Sequence, residues 1–299
     1  FTMTALPGSP SIHNVIAATA LKTSLLASPW IGLISAAIML VLGLLYLEWE
    51  RKRAKARGDG FKAALTDVLP DEKLDTHNFP GPVMALVPLL AVLVIIIAPQ
   101  MAGKFIAEPQ GVIAFAISQP LLWPSLAMVI GALLAVVLLP KALQRPMKTL
   151  SRGAENAILP LMNTAAVIGF GGVVVQTAGF SKFAGLMIDA DIDPLLSAFL
   201  SVNIVAGIVG SSSGGLQIFM ESLAPHYIEA GVPPELLHRI ATLGSGGLDS
   251  LPHCGAIITM FTVMGITHKE AYKDVAVITI LIPLIATAAI LAWLLIVGY

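Results

Sequence analysis

Three clusters of small polar residues interrupt an otherwise apolar sequence, and these are the places where the chain could do chemistry. They are Asp249-Ser250-Leu251-Pro252-His253-Cys254-Gly255, Gly210-Ser211-Ser212-Ser213-Gly214-Gly215, and Thr4-Ala5-Leu6-Pro7-Gly8-Ser9-Pro10 followed by His13 and Asn14. Gly, Ser and Pro break helices through backbone entropy, local hydrogen bonding and steric clash. The second arm of a broken helix opens with unpaired N–H groups and about half a positive charge, which suits an anion. Helix arms are expected after Gly215 and after the Ser250–Gly255 turn, with the hydroxyls of Ser211, Ser212 and Ser213 as added donors. No Lys or Arg is expected in the apolar centres of these segments. An anion is therefore expected to be held by dipoles, hydroxyls and His253, which suits a small hydroxylated carboxylate better than a multiply charged ion. The candidate substrate ligands are Ser211, Ser212, Ser213, Gly214, Ser250 and His253, with Thr4, Ser9 and Asn14 facing them from the first break.

The composition says what must position these residues. Of 299 residues, 57% are hydrophobic and only 12% charged, against about 25% charged in an average soluble domain. So little polar surface cannot cover water-soluble globules, and so much apolar surface excludes disorder. An integral membrane protein remains. The net charge of −1 gives nucleic-acid binding no electrostatic basis. The single cysteine, Cys254, excludes an intrachain disulfide and a Cys-rich metal site, and no cofactor is expected. The first residues, FTMTALPGSP, lack the basic and apolar regions of a signal peptide.

A spanning helix needs about 20 apolar residues. Trp30–Leu47, Val83–Met101, Leu121–Leu139 and Val275–Val297 meet this, and Ala157–Phe180 does so despite Pro160 and the Gly169–Gly172 cluster. Near the start, Ile12–Leu26 reads as a short apolar helix. Pro194–Gly210 and Leu216–Tyr227 read as the arms of a re-entrant hairpin, 194–228, with GSSSGG at its tip. Leu236–Leu248 and Ala256–Met264 read as halves of a broken helix, 236–265, and a last span occupies 272–298. In hydrocarbon such breaks are tolerated only when buried in protein or lining a polar cavity. Basic residues favour cytoplasmic loops. Arg51, Lys52, Arg53, Lys55, Arg57, Lys62 and Lys73, then Lys141, Arg145, Lys148 and Arg152, then Lys269 and Lys273 all fall inside if 194–228 dips in from the outer side and returns.

Two of the breaks resemble each other. Ala5-Leu6-Pro7-Gly8 parallels Ser250-Leu251-Pro252-His253, and each precedes a short apolar helix and a full span, the two spans running in opposite directions. Such units are the signature of inverted-repeat transporters. The chain divides accordingly into 1–48, the end of a first repeat; 49–81, a cytoplasmic loop; and 82–299, a second repeat. The same logic places residue 1 inside a longer protein of roughly 450–460 residues.

Asp249 has two readings. A carboxylate inside a membrane costs about 2.5–3.5 kcal/mol on insertion scales and is a functional candidate by default. It is either the proton-coupling group or an acceptor that stabilises the loop. His253 is either its titrating partner or a hydrogen-bonded interior histidine. Glu221 and His226 are expected to face an outer vestibule, and Asn163 and Thr164 to pair between helices. Gly210–Gly214 formally matches G-x-S-x-G, but a hydrolase needs that motif on a strand–turn–helix, so an enzyme is not expected. No GxxxxGK[ST] is present for an ATP-driven pump. A sodium-coupled carboxylate carrier and a passive anion channel remain as alternatives to a proton symporter.

The segments FTMTALPGSPSIHN, LGLLYLEWERKRAKARG, GSSSGGLQIFM and LLHRIATLGSGGLDSLPHCGAIITMFTVMGITHKEAYKD resemble the gluconate permease (GntP) family of the ion transporter superfamily. The ALPGSP and SLPHCG forms look closer to its hydroxybutyrate-permease-like branch. The resemblance covers most of the chain. It implies an all-helical transporter with paired re-entrant hairpins and broken helices, acting as a homodimer in the bacterial inner membrane. It also implies an elevator-like movement and proton-coupled uptake of a hydroxylated monocarboxylate such as 3-hydroxybutyrate or gluconate.

Overall fold

A computed structural model of the chain describes residues 4–59, 81–103, 105–106, 108–138 and 146–299. Lys62, Lys73, Lys141 and Arg145 lie outside the described residues, as do the side chains of Asn163 and Thr164. Among the described residues there are helices and no strands. In chain order the helices are α1 (Ile12–Leu21), α2 (Pro29–Arg57), α3 (Pro82–Ala102), α4 (Gly111–Ser118), α5 (Leu122–Leu138), α6 (Pro146–Val174) and α7 (Ala178–Ile188). Then come α8 (Pro194–Val209), α9 (Ser212–Ser222), α10 (Ala224–Glu229), α11 (Pro234–Gly244), α12 (Gly255–Met264), α13 (His268–Ala276), a π-helical turn (Val277–Leu281) and α14 (Ile282–Val297).

Three helical stretches are long and apolar enough to cross a membrane: α2, α3 and the run His268–Val297. The α4–α5 pair passes the same test together, bent by 110°. Leu33, Leu40, Leu44, Leu89, Leu133 and Ile296 are exposed on these helices. Exposed apolar faces of this extent belong in lipid. The inward face of α2 is instead a stripe of Gly32, Ser35, Ala36, Met39 and Gly43 at helical spacing; α2 packs on α14, and Gly32 lies against Ala5 and Pro7 of the first break. Small residues let membrane helices approach closely.

Several boundaries differ from the sequence reading. The second hairpin arm, expected to begin after Gly215 and run to Tyr227, begins at Ser212, which Ser211 caps, and ends at Ser222 before the short α10. The helix expected at Ile12–Leu26 stops at Leu21, where Lys22 caps it with φ 54°. Instead of being interrupted at Pro160 and Gly169–Gly172, α6 continues to Val174. Membrane helices tolerate Pro and Gly because neighbouring groups restore the lost backbone bonds. The chain turns at Val175–Thr177 instead, where Thr177 Oγ1 accepts from the Phe180 N–H to start α7. Finally, α11 ends at Gly244 rather than Leu248, because Gly244-Ser245-Gly246-Gly247 is a poor helix former.

The buried centre lies where α1, α8, α9, α11 and α14 meet. Leu195, Ala198 and Val202 of α8 pack there with Leu216, Phe219 and Leu223, and with Leu237, Ile240 and Ala241 of α11. In α8 the buried residues cover every side of the helix, as expected of a helix enclosed by others.

Candidate functional site

The GSSSGG cluster is a two-residue turn between α8 and α9, and its residue types follow from its geometry. Gly210 ends α8 with φ +64°, which favours glycine, and its N–H donates to Ala206 O. Ser211 is extended and caps α9, its Oγ accepting from the Gly214 N–H at 3.3 Å and its carbonyl from the Gly215 N–H at 2.9 Å. A β-carbon on Gly215 would overlap Ala206, so glycine there lets the two arms touch. The N–H groups of Ser212 and Ser213 open the first turn of α9, where no intrahelical acceptor precedes them.

The second break, 245–254, packs against this turn. His253 Nε2 lies 2.9 Å from Gly207 O. A carbonyl only accepts, so Nε2 carries the hydrogen. The same ring covers the turn: a β-carbon on Gly210 would sit 3.1 Å from His253 Cδ2. Asp249 Oδ1 accepts from Ser250 Oγ at 3.1 Å, and the Ser212 side chain stands against the same carboxylate. Gly247 lies against the amide of Asn203 on α8. Asn203 Nδ2 donates to Phe199 O, whereas its Oδ1 is buried without a hydrogen-bond partner among the described residues. Cys254 is buried and precedes α12, which starts without a side-chain cap. Ser212, Asp249, Ser250 and His253 thus come together from two separate breaks. Ser213 is half-buried in the first turn of α9.

The first break divides in two. Thr4 Oγ1 would lie 3.4 Å from a β-carbon on Gly246, beside the second break. Ser9 and Asn14 are buried in a different cluster. Asn14 Nδ2 donates to Leu6 O, Ser9 O and Ser9 Oγ, which folds the loop on itself. Its Oδ1 accepts from Arg239 at 3.1 Å and faces His238 Nε2 at 3.5 Å. His238 Nδ1 is 2.6 Å from Thr23 Oγ1.

Arg239 corrects the expectation that no cation lies within these segments. It is completely buried in α11. Its guanidinium donates to Ala27 O through Nε and Nη2, at 3.0 and 2.8 Å, and to Ala5 O and Asn14 Oδ1 through Nη1. All these acceptors are neutral, and among the described residues Arg239 makes no ion pair with a carboxylate. The signal was a charged residue four positions inside an apolar run, which is a functional flag in a membrane segment. Tyr272 and His268, which bond the carbonyls of Ser250 and Pro252, were also missed, and the sequence carried no signal for them.

No group of three or more His, Cys, Asp or Glu side chains suited to a metal occurs among the described residues. A cavity of about 360 Å³ is lined by Lys22, Met220, Glu229 and Pro234 among others. It lies near the far end of α9, about 12 Å along the helix from Ser212, so it is not the junction itself. Glu221 is exposed at that end and pairs with Gln217, while His226 is half-buried against Tyr227.

Residues 2–296 match the family model described as GntP family permease. The uncharacterized transporter YxjC of Bacillus subtilis (strain 168) is 36% identical over 314 residues, covering 98% of this chain and 66% of that protein. The chain thus spans about two thirds of this relative's length. No solved structure matches. With the family model covering almost all of a chain whose described residues are helical and include membrane-length apolar helices, the chain belongs to the GntP family of permeases.

Proposed function

We propose that the chain is the larger part of a secondary active transporter, a proton symporter for a small hydroxylated monocarboxylate such as 3-hydroxybutyrate or gluconate. The observation that carries this reading is the junction of the α8–α9 turn with the 245–254 break, where Ser212, Asp249, Ser250 and His253 meet. The substrate carboxylate sits between the Ser211–Gly214 turn and the start of α12, facing helix N-termini and hydroxyls. Ser213 and Ser250 bind its hydroxyl group, and Thr4 approaches from the first break. Ser9 and Asn14 act one step removed, by fixing the first break. Asp249 carries the coupled proton, and His253 Nδ1 is its relay.

The α1–α2 and α12–α14 units are inverted equivalents in a bacterial inner membrane, with the basic end of α2 in the cytoplasm. The α8–α9 pair is the re-entrant hairpin, entering from the outer face. The protein works as a homodimer in which the hairpin-bearing part moves past a scaffold.

Counterflow into proteoliposomes holding the full-length protein tests this. Vesicles preloaded with 3-hydroxybutyrate or gluconate should show saturable tracer uptake, increased by an inward proton gradient in sodium-free buffer. Uptake that does not saturate would make it a channel. One observation favours the sodium-coupled alternative: the buried Asn203 Oδ1 beside the break, unpartnered among the described residues, is a neutral oxygen suited to a cation. Counterflow that appears only with sodium would select that reading.

A further inference from the structure

The unwound segment between α11 and α12 is held from a third side, by α13. Tyr272 Oη on α13 donates to Ser250 O at 3.0 Å. His268 Nε2, one turn earlier on the same helix, lies 3.0 Å from Pro252 O, and because a carbonyl only accepts, it is the donor. These two carbonyls belong to the stretch that carries Asp249, Ser250 and His253, where the helical ladder is broken and cannot satisfy them. The His268 ring also meets Phe261 of α12 edge-on, with centroids 4.9 Å apart, and lies 5.8 Å from the Tyr272 ring.

The rest of α13 is arranged as a part that can be held or released. None of its residues is fully buried, unlike most of α8 and α11. Its start is fixed by a capping box between Thr267 and Glu270. Tyr46 Oη of α2 donates to Asp274 Oδ1 at 2.6 Å, tying α13 beside the basic end of α2. It joins α14 through the π-helical turn Val277–Leu281, a wide turn of the kind that marks functional irregularities.

We propose that Tyr272 and His268 are positioning residues for transport: α13 latches the Ser250–Pro252 carbonyls and so aims Asp249, Ser250 and His253 at the substrate. The transport part of this rests on the carboxylate-carrier reading; the latch itself does not. Release of α13 opens the break toward the face that bears the basic end of α2.

Cys254, the single cysteine of the sequence, reports on the latch because it is buried at the end of the held segment. In the full-length protein in proteoliposomes, N-ethylmaleimide alkylation of Cys254 is followed by peptide mass spectrometry. KM and Vmax for 3-hydroxybutyrate and gluconate counterflow are measured alongside. Tyr272→Phe and His268→Ala should each speed alkylation and raise KM roughly five-fold, the effect of one lost hydrogen bond, with Vmax largely kept. His268→Gln should restore both values, since its amide N–H can replace Nε2–H. Tyr299→Phe, which removes a tyrosine hydrogen bond to Asp193 far from the break, should change neither. Wild-type alkylation in both Tyr272→Phe and His268→Ala overturns the latch, as does a Gln variant that behaves like Ala. Faster alkylation with unchanged KM overturns the positioning role. If neither acid is transported by the wild type while alkylation still responds, the latch stands and the carboxylate reading falls.

Discussion

At the scale of single residues, the junction separates groups that touch the centre from groups that hold it. Asp249 is met by hydroxyls from two directions, Ser250 and Ser212, and by no cation among the described residues. Such a carboxylate can exchange a proton without first breaking an ion pair. Asp249→Asn should abolish proton-driven accumulation and keep substrate exchange, measured as net uptake against counterflow in the same vesicles. Ser212→Ala removes a partner of that carboxylate as well as a hydroxyl at the turn. It should alter both the pH dependence and the KM of transport. Ser213→Ala should raise KM roughly five-fold and leave the pH profile in place. The residue types of this site were legible in the sequence, because Ser, Asp and His stand out in apolar surroundings. Their partners were not. The contacts 212 with 249 and 207 with 253 join separate segments, and only packing brings such segments together.

At the scale of elements, glycines in the breaks serve contact as much as flexibility. The α8 and α9 arms touch at Gly215 and Ala206, where backbone rather than a movable side chain meets the added atom. Gly215→Ala should therefore splay the pair and abolish transport while the protein still inserts and purifies, as size-exclusion profiles can check. The helix breaks were readable from Gly, Ser and Pro. The four-residue shift in the end of α11 arose because an apolar Leu248 was counted as helical although Gly244–Gly247 had already ended the helix. The α13 helix offers a test of its cap: Glu270 accepts from the N–H and Oγ1 of Thr267, so Thr267→Val should lower the hydrogen-exchange protection of α13 while leaving that of α8 in place.

At the scale of the whole molecule, composition identifies the solvent. Apolar faces of α2, α3 and α5 are exposed, while α8 and α11 are enclosed, which is how a lipid-facing shell surrounds a polar working part. Composition could not show the buried guanidinium. Arg239 clamps Ala5, Ala27 and Asn14 to α11, with no carboxylate paired to it among the described residues. That charge has a bearing on coupling. Across a medium of low dielectric constant, the work of moving a body rises steeply with its net charge. In the proposed symporter, count Arg239, Asp249, the proton and the substrate carboxylate as passengers of one body. The body is neutral when it carries neither proton nor substrate, and neutral again when it carries both. With only one of the two aboard it bears a net charge and meets the dielectric barrier. In the proposed symporter, electrostatics would then oblige proton and substrate to travel together. Arg239→Gln removes the term that balances the count, so it should let protons slip through without substrate, read as acidification of the lumen of substrate-free vesicles under an inward proton gradient.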